Sequence, residues 1–150
     1  RGSDMGTTMV VALVKDNKDA IIANVGDSRA YILRSDKMSQ VSVDHSLVQR
    51  MVEQGQLTPD EARHHPHSNI LMRTVGTERD VAVDTFRVKM KSKDVILLCS
   101  DGLWGETEDF DMQEVMNAPI PLHEMASDLV ILAHNGGGKD NVTHVLVRIP

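Results

Sequence analysis

The fold of this chain is decided by the stretch Val95-Ile-Leu-Leu-Cys-Ser-Asp-Gly-Leu-Trp104, an apolar run that ends at one carboxylate. Residues 95–99 are apolar and bounded by charge before them and by Ser-Asp-Gly after them, a pattern typical of a strand buried on both faces. Asp101 is therefore predicted at the rim of a sheet, where Gly102 lets the chain turn without a side chain that blocks the carboxylate. This position suits a ligand of a hard metal ion, and it suits equally an Asp that caps a turn.

The composition narrows the class of protein. At 150 residues and 41% hydrophobic, the chain has the size of one domain with a real core. A net charge of −6 gives no basic surface for nucleic acid or an anionic membrane, and no segment approaches the ~20 apolar residues of a membrane span. Cys99 is the only cysteine and lies in an apolar run, which excludes an internal disulfide and favours a reducing, cytoplasmic compartment.

The order of the predicted elements indicates the fold class. Strands are predicted at residues 9–14, 20–25, 29–34, 38–43, 81–88, 95–99 and 141–149. Helices are predicted at 45–54, at 109–117, at 122–135 and from Thr58 onward, where Thr as N-cap with an acid three residues later is typical of a capping box. Because the strands come in groups with helices between the groups, an α+β fold of mainly antiparallel sheets is favoured. A doubly wound parallel fold is the alternative.

Three aspartates share one sequence context. Asp27, Asp101 and Asp140 each lie next to a predicted strand at a turn marked by glycine. Strand ends of a packed sheet meet at a common rim, where carboxylates can jointly hold a divalent cation, and oxygen ligands without cysteine favour Mg²⁺ or Mn²⁺ over Zn²⁺. The alternative is that each Asp only forms its turn, since Asp side chains bond their own backbone there.

The histidines are weighed separately. His64, His65 and His67 cluster in a polar segment at 63–69 that lacks periodicity, and a solvated loop is favoured there over a transition-metal tract. His45 is expected to open a helix. The isolated histidines, expected at the surface, are His123, His134 and His144.

A family resemblance adds what periodicity does not provide. Five motifs occur in order: Gly6-Thr-Thr8, Asn24-Val-Gly-Asp-Ser-Arg-Ala30, Asp44-His-Ser46, Leu98-Cys-Ser-Asp-Gly-Leu103 and Gly138-Lys-Asp-Asn-Val-Thr143. Together they resemble the successive motifs of the metal-dependent serine/threonine protein phosphatases of type 2C, particularly the bacterial kind. The resemblance covers nearly the whole chain from Met5 onward.

The resemblance implies a fold and a set of site residues. The fold would be a partial α-β-β-α sandwich of two antiparallel sheets flanked by helices, with a helical flap at about 45–76. Asp101 and Asp140 would bind the catalytic metal pair, supported by Gly102 and Asn141, and Asp27 would help to hold a third metal. The flap histidines His64, His65 and His67 would influence the choice of substrate.

The same resemblance implies an activity. Members of the family hydrolyse phosphoserine and phosphothreonine in proteins with a water activated by Mg²⁺ or Mn²⁺, so a phosphorylated protein substrate and an opposing Ser/Thr kinase are the expected partners.

The chain also departs from the family pattern. Family members carry, before the Gly-Thr-Thr strand, an Arg for phosphate, a Glu-Asp pair and an Asp-Gly-x-Gly-Gly turn, none of which occurs here. Residues 1–5 are accordingly expected to be a non-native or cropped end, and residues 6–150 the C-terminal part of a catalytic domain. Too few ligands predict an inactive isolated chain, and unpaired strand edges predict self-association. The alternative is a catalytically silent, phosphatase-like binding or regulatory module.

Overall fold

The structure, a computed structural model, describes residues 5–150; the prediction for the chain end therefore lies outside the described residues, except at Met5. The strands are β1 (Met9–Lys15), β2 (Asp19–Val25), β3 (Arg29–Arg34), β4 (Lys37–Gln40), β5 (Asp84–Lys89), β6 (Val95–Cys99) and β7 (His144–Arg148). The helices are α1 (Leu47–Glu53), α2 (Pro59–Arg63), α3 (Asp101–Trp104), α4 (Asp109–Asn117) and α5 (Leu122–Gly136).

The strands form two antiparallel sheets. One sheet has the order β1-β2-β5 and the other the order β4-β3-β6-β7. In the second sheet, Ile32 pairs with Ile96 and Ile96 pairs with Val147, so β6 lies in the middle. The predicted α+β class is confirmed, and the doubly wound alternative is wrong because these strands pair antiparallel throughout.

Two hydrophobic clusters divide the molecule into layers. The first lies between the sheets and includes Ile22 and Ile96, both fully buried. The second lies between the other face of the four-stranded sheet and the helices, and it includes Leu97, Leu103 and Leu129. Alternate residues of β6 therefore face different clusters, which confirms that this strand is buried on both faces.

The outer face of the three-stranded sheet is uncovered in the described part of the chain. Met9, Val11, Leu13 and Ile21 are 51%, 46%, 64% and 38% exposed. The register places Leu13 opposite Ile21, so these apolar side chains share one face. Within residues 5–150 the helical layer covers only the four-stranded sheet, so the sandwich is partial, as the resemblance implied.

Several element boundaries differ from prediction. β4 ends at Gln40 rather than at residue 43 because the Ser42 hydroxyl, instead of a main-chain carbonyl, accepts the Ala30 N–H at 2.9 Å. The strand expected at 81–88 is β5, which begins later and ends at Lys89, and the strand expected at 141–149 is shortened at both ends to β7. The turn expected at Asp101 is instead the short helix α3, whose N-terminus follows β6 directly.

The flap contains both predicted helices. α2 has the capping box expected from its sequence, since the Glu61 N–H donates to the Thr58 hydroxyl and the Glu61 carboxylate accepts the Thr58 N–H. The prediction that His45 opens the first helix is wrong: α1 begins at Leu47, and the Ser46 hydroxyl caps it by accepting the Gln49 N–H.

One further difference concerns burial. His144 lies half-buried in β7, so its expected surface position is wrong, and burial lowers its pKa.

Among the helices of residues 5–150, none combines the length and the apolar character needed to cross a bilayer.

Candidate functional site

Asp27 lies in a tight turn between β2 and β3. Gly26 before it has φ of 106°, and a β-carbon there would lie 2.4 Å from Cγ2 of Thr8, so only glycine fits. The Asp27 carbonyl accepts the indole N–H of Trp104 at 3.0 Å. Contacts on two sides therefore fix the turn that carries the Asp27 side chain. The residue is almost fully buried.

Asp101 is the first residue of α3, directly after the central strand. A β-carbon at Gly102 would lie 2.2 Å from the carbonyl oxygen of Asn141. Gly102 is thus needed for close approach of the 140–141 segment rather than for a turn, which corrects the role expected from the sequence. This contact brings Asp101 and Asp140 to the same rim of the sheet.

Asp140 lies in the segment that leads into β7. Its Oδ1 accepts the Asn141 N–H at 2.7 Å, which is the turn-forming role that the sequence left open. The segment is fixed to the end of β6 because Ser100 N–H donates to the Thr143 carbonyl at 2.9 Å and Thr143 N–H donates to the Ser100 hydroxyl at 3.1 Å. Turn formation and cation binding are compatible here, since a carboxylate has two oxygens.

One cavity joins the three aspartates. It has a volume of about 310 Å³ and is lined by Asp27, Arg63, Ser68, Asn69, Asp101, Trp104, Gly105, Glu106, Lys139 and Asp140. The ends of β2 and β6 and the segment before β7 therefore meet at a common rim.

The carboxylates of this cavity repel one another. Burial, with the charges of Asp101 and Asp44, raises the pKa of Asp27 to about 6. Burial, with the charge of Asp140, also raises the pKa of Asp101 above its usual range. Burial and like charge thus disfavour the ionised carboxylates of Asp27 and Asp101. A cation bound in the cavity would stabilise these ionised forms.

The donor chemistry fits a hard divalent cation. Among the described lining residues there is no cysteine or histidine, and the carboxylate oxygens are the ligands that Mg²⁺ and Mn²⁺ prefer. Within residues 5–150, however, no three His, Cys, Asp or Glu side chains lie close enough together to form a complete ligand group. The described residues thus supply part of an oxygen-ligand site.

The flap reaches this cavity through three polar residues. The cavity is lined by Arg63, Ser68 and Asn69, whereas His64, His65 and His67 of the same loop are not among its lining residues. Instead, the rings of His65 and His67 contact each other with centroids 5.4 Å apart, and His64 is exposed.

Arg63 fastens the flap to the start of α4. Its guanidinium donates to the carbonyl of Thr107 and, at 2.8 Å, to Oδ1 of Asp109. The side chain is only 15% exposed. A second cavity of about 500 Å³ lies between the flap and α4. The two cavities adjoin each other, because both are lined by Arg63, Ser68 and Trp104.

A buried ion pair supports the site, and sequence reasoning did not find it. Arg29 binds Asp44 through Nε and Nη2, at 3.0 and 2.7 Å, and donates through Nη1 to the Tyr31 hydroxyl. Its guanidinium carbon lies 3.5 Å from the centroid of the Trp104 ring. The only signal was that both charged residues fall inside otherwise recognisable motifs.

Comparisons with known proteins agree with this arrangement. The family model described as "Protein phosphatase 2C" matches residues 2–51. The chain is 43% identical over 144 residues to "Serine/threonine phosphatase stp" of Listeria innocua, covering 96% of this chain and 57% of that protein. The chain therefore spans little more than half the length of this relative.

Solved structures show the same fold. Serine/threonine phosphatase Stp1 from Staphylococcus aureus superposes with a TM-score of 0.94 at 40% identity, over 98% of this chain and 57% of that one. The catalytic domain of serine/threonine protein phosphatase PstP, solved in complex with two manganese ions, superposes with a TM-score of 0.85 at 34% identity, over 95% of this chain and 58% of that one. On its sequence motifs, its two antiparallel sheets and these likenesses, the chain belongs to the protein phosphatase 2C family.

Proposed function

We propose that the protein containing this chain hydrolyses phosphoserine and phosphothreonine in proteins in a reaction that depends on Mg²⁺ or Mn²⁺. The observation that carries the proposal is the meeting of Asp27, Asp101 and Asp140 at one cavity with raised pKa values at two of them. The two manganese ions of the PstP structure support the choice of metal.

The residues of this chain have distinct roles in the proposal. Asp101 and Asp140 would hold the principal cations and Asp27 a further one, while Gly102 and Asn141 set the approach of the two segments. A bound cation would supply an activated water and would neutralise charge on the phosphate. The Trp104 indole N–H holds the Asp27 main chain, and the Arg29 guanidinium lies over the face of the Trp104 ring.

No side-chain nucleophile is required. The hydroxyl of Ser28 is hydrogen-bonded with that of Thr8 at 2.8 Å, and the hydroxyl of Ser100 is bonded to the segment before β7. Burial raises the pKa of Cys99 to about 12, so its thiol stays protonated and inert.

The proposal includes a place for the chain in the whole protein. Residues 6–150 would be the C-terminal part of a type 2C catalytic domain, and residues 45–76 its flap, where the loop of His64, His65 and His67 would contribute to substrate choice. The substrate would be a phosphorylated protein and the partner enzyme an opposing Ser/Thr kinase. A buried free thiol fits a reducing, cytoplasmic compartment.

The test uses the full-length protein and a phosphothreonine peptide with Mn²⁺. Asp101→Asn should lower kcat/KM by at least ~100-fold, because a lost metal ligand removes several kcal/mol of transition-state stabilisation. Asp16→Asn is the matched control, since Asp16 lies in the β1–β2 turn far from the cavity and Asn tolerates its positive φ of 52°. Equal activity of Asp101→Asn and the control would contradict the proposal.

One observation favours a second candidate, a catalytically silent binding or regulatory module. In the described residues the carboxylates do not amount to a three-ligand group, so we expect the 150-residue chain by itself to show little or no Mn²⁺-dependent hydrolysis. If the full-length protein is equally inactive and still binds phosphopeptide, the silent module is the better description.

A further inference from the structure

His45 clamps the peptide that precedes Asp27. The Gly26 N–H donates to Nδ1 of His45 at 3.1 Å, and the Gly26 carbonyl accepts the His45 main-chain N–H at 2.9 Å. One residue thus satisfies both backbone groups of Gly26, whose positive φ already restricts it. These two bonds, together with the bond that the Asn24 side-chain amide donates to the Gly26 carbonyl at 3.2 Å, hold the direction in which Asp27 leaves β2.

The imidazole ring is held in one tautomer. Because Nδ1 accepts a hydrogen bond, the neutral ring carries its hydrogen on Nε2, which donates to Oδ2 of Asp84 at 3.0 Å. The bond from His45 contributes most to the lowering of the pKa of Asp84. Arg73 donates to Oδ1 of the same carboxylate at 2.8 Å, and its Nη1 lies 3.0 Å from Nε2.

The same residue also lies where the two ends of the flap meet. The His45 carbonyl accepts the Met72 N–H at 2.8 Å, and the Leu47 N–H donates to the Ile70 carbonyl at 2.9 Å. Arg73, next to Met72, completes the contact through Asp84. We call His45, Met72 and Arg73 the flap base.

We propose that His45 is a positioning residue that couples the flap base to the Gly26–Asp27 turn and so fixes the Asp27 carboxylate at the rim of the cavity. The consequence of this inference for metal binding rests on the proposed function. The essential atom is Nδ1 as a hydrogen-bond acceptor, and Asp84 acts by keeping the hydrogen on Nε2.

Two substitutions in the full-length protein separate the acceptor from the rest of the ring. His45→Asn keeps a side-chain oxygen near the position of Nδ1, whereas His45→Gln moves the amide towards Asp84 and leaves Gly26 without an acceptor. Asp84→Ala is the supporting variant if His45→Gln does not fold, because the Asp84 side chain is 41% exposed and tolerates truncation better. The readouts are hydrogen exchange at the Gly26 amide by NMR and Mn²⁺ binding by calorimetry.

We expect His45→Gln to speed exchange at Gly26 by about fivefold or more, the worth of one net hydrogen bond, and to weaken Mn²⁺ binding in parallel. His45→Asn should stay close to wild type in the exchange rate at Gly26 and in Mn²⁺ affinity. Asp84→Ala should change both quantities in the same direction as His45→Gln. The inference is overturned if His45→Asn loosens Gly26 as much as His45→Gln does, or if Gly26 loosens without loss of Mn²⁺ affinity. Absence of phosphatase activity in the wild type would reject the proposed function alone.

Discussion

Gly102 lies so close to Asn141 that a β-carbon at position 102 would be 2.2 Å from the Asn141 carbonyl oxygen. The contact joins the start of α3 to the segment before β7, and each of these segments carries one carboxylate of the candidate site. The glycine therefore sets the separation of Asp101 and Asp140 through backbone packing rather than through any polar group of its own.

Gly102→Ala should disturb this separation. We expect the free energy of unfolding to fall by about 1–3 kcal/mol, as for other overpacked sites, and Mn²⁺-dependent activity of the full-length protein to fall by about 100-fold because the ligands are displaced. Chemical denaturation and steady-state kinetics measure the two effects. Gly55→Asn is the control, since a side chain at Gly55 meets nothing within 4 Å and Asn tolerates its φ of 69°; similar losses in both variants would contradict the prediction.

Arg63 should control how the flap is seated. Arg63→Met keeps the length of the side chain and removes its bonds to Thr107 and Asp109. We expect KM for a phosphopeptide to rise by about 5–10-fold, corresponding to the net contribution of one hydrogen bond, while kcat for p-nitrophenyl phosphate changes little. Arg50→Met, an exposed position on α1, is the control. An equal loss for the small and the peptide substrate would show that Arg63 acts on the chemistry instead.

Asp94 should make the fold sensitive to acid. Burial alone would raise its pKa, but the bonds from Arg34 at 2.5 Å and from the Lys91 N–H outweigh burial and lower it. A lowered pKa in the folded state means that the stabilisation is complete above the ordinary Asp value of about 3.9 and is lost as the pH falls through the folded-state value.

Asp94→Asn should therefore lower the free energy of unfolding by about 2 kcal/mol at pH 7, since the Asp94 side chain is 3% exposed and Arg34 33%. The difference from wild type should shrink towards pH 3, as followed by urea denaturation. Asp19→Asn, which weakens the exposed pair with Lys89, should change the free energy of unfolding much less than Asp94→Asn does. A difference for Asp94→Asn that stays constant with pH would refute the assignment.

The uncovered face of the three-stranded sheet should drive self-association of the 150-residue chain. β1 is an edge strand, and Val11 and Leu13 project from it on the exposed apolar face. We expect concentration-dependent oligomers by light scattering and a shift towards monomer in Leu13→Lys. A monodisperse monomer of the wild type at high concentration would exclude this prediction.

The sequence by itself determined much of the architecture. The apolar run at 95–99, the helix start at Thr58 and the first three strands each depend on short-range chemistry, and each lies where the pattern predicts. The five ordered motifs also indicated the family, and they selected Asp27, Asp101 and Asp140 as candidate ligands. These features are local, so neighbouring residues suffice to specify them.

Only the tertiary structure decided how these parts act on one another. That Gly102 serves close approach, that Arg63 rather than the loop histidines reaches the cavity, and that His45 bonds to Gly26 all depend on contacts between distant segments. His45 shows the reason: its neighbours in sequence fit the start of a helix, but a buried imidazole must satisfy both ring nitrogens. Its partners, Gly26 and Asp84, lie on the neighbouring strand turn and on β5, where only folding brings them together.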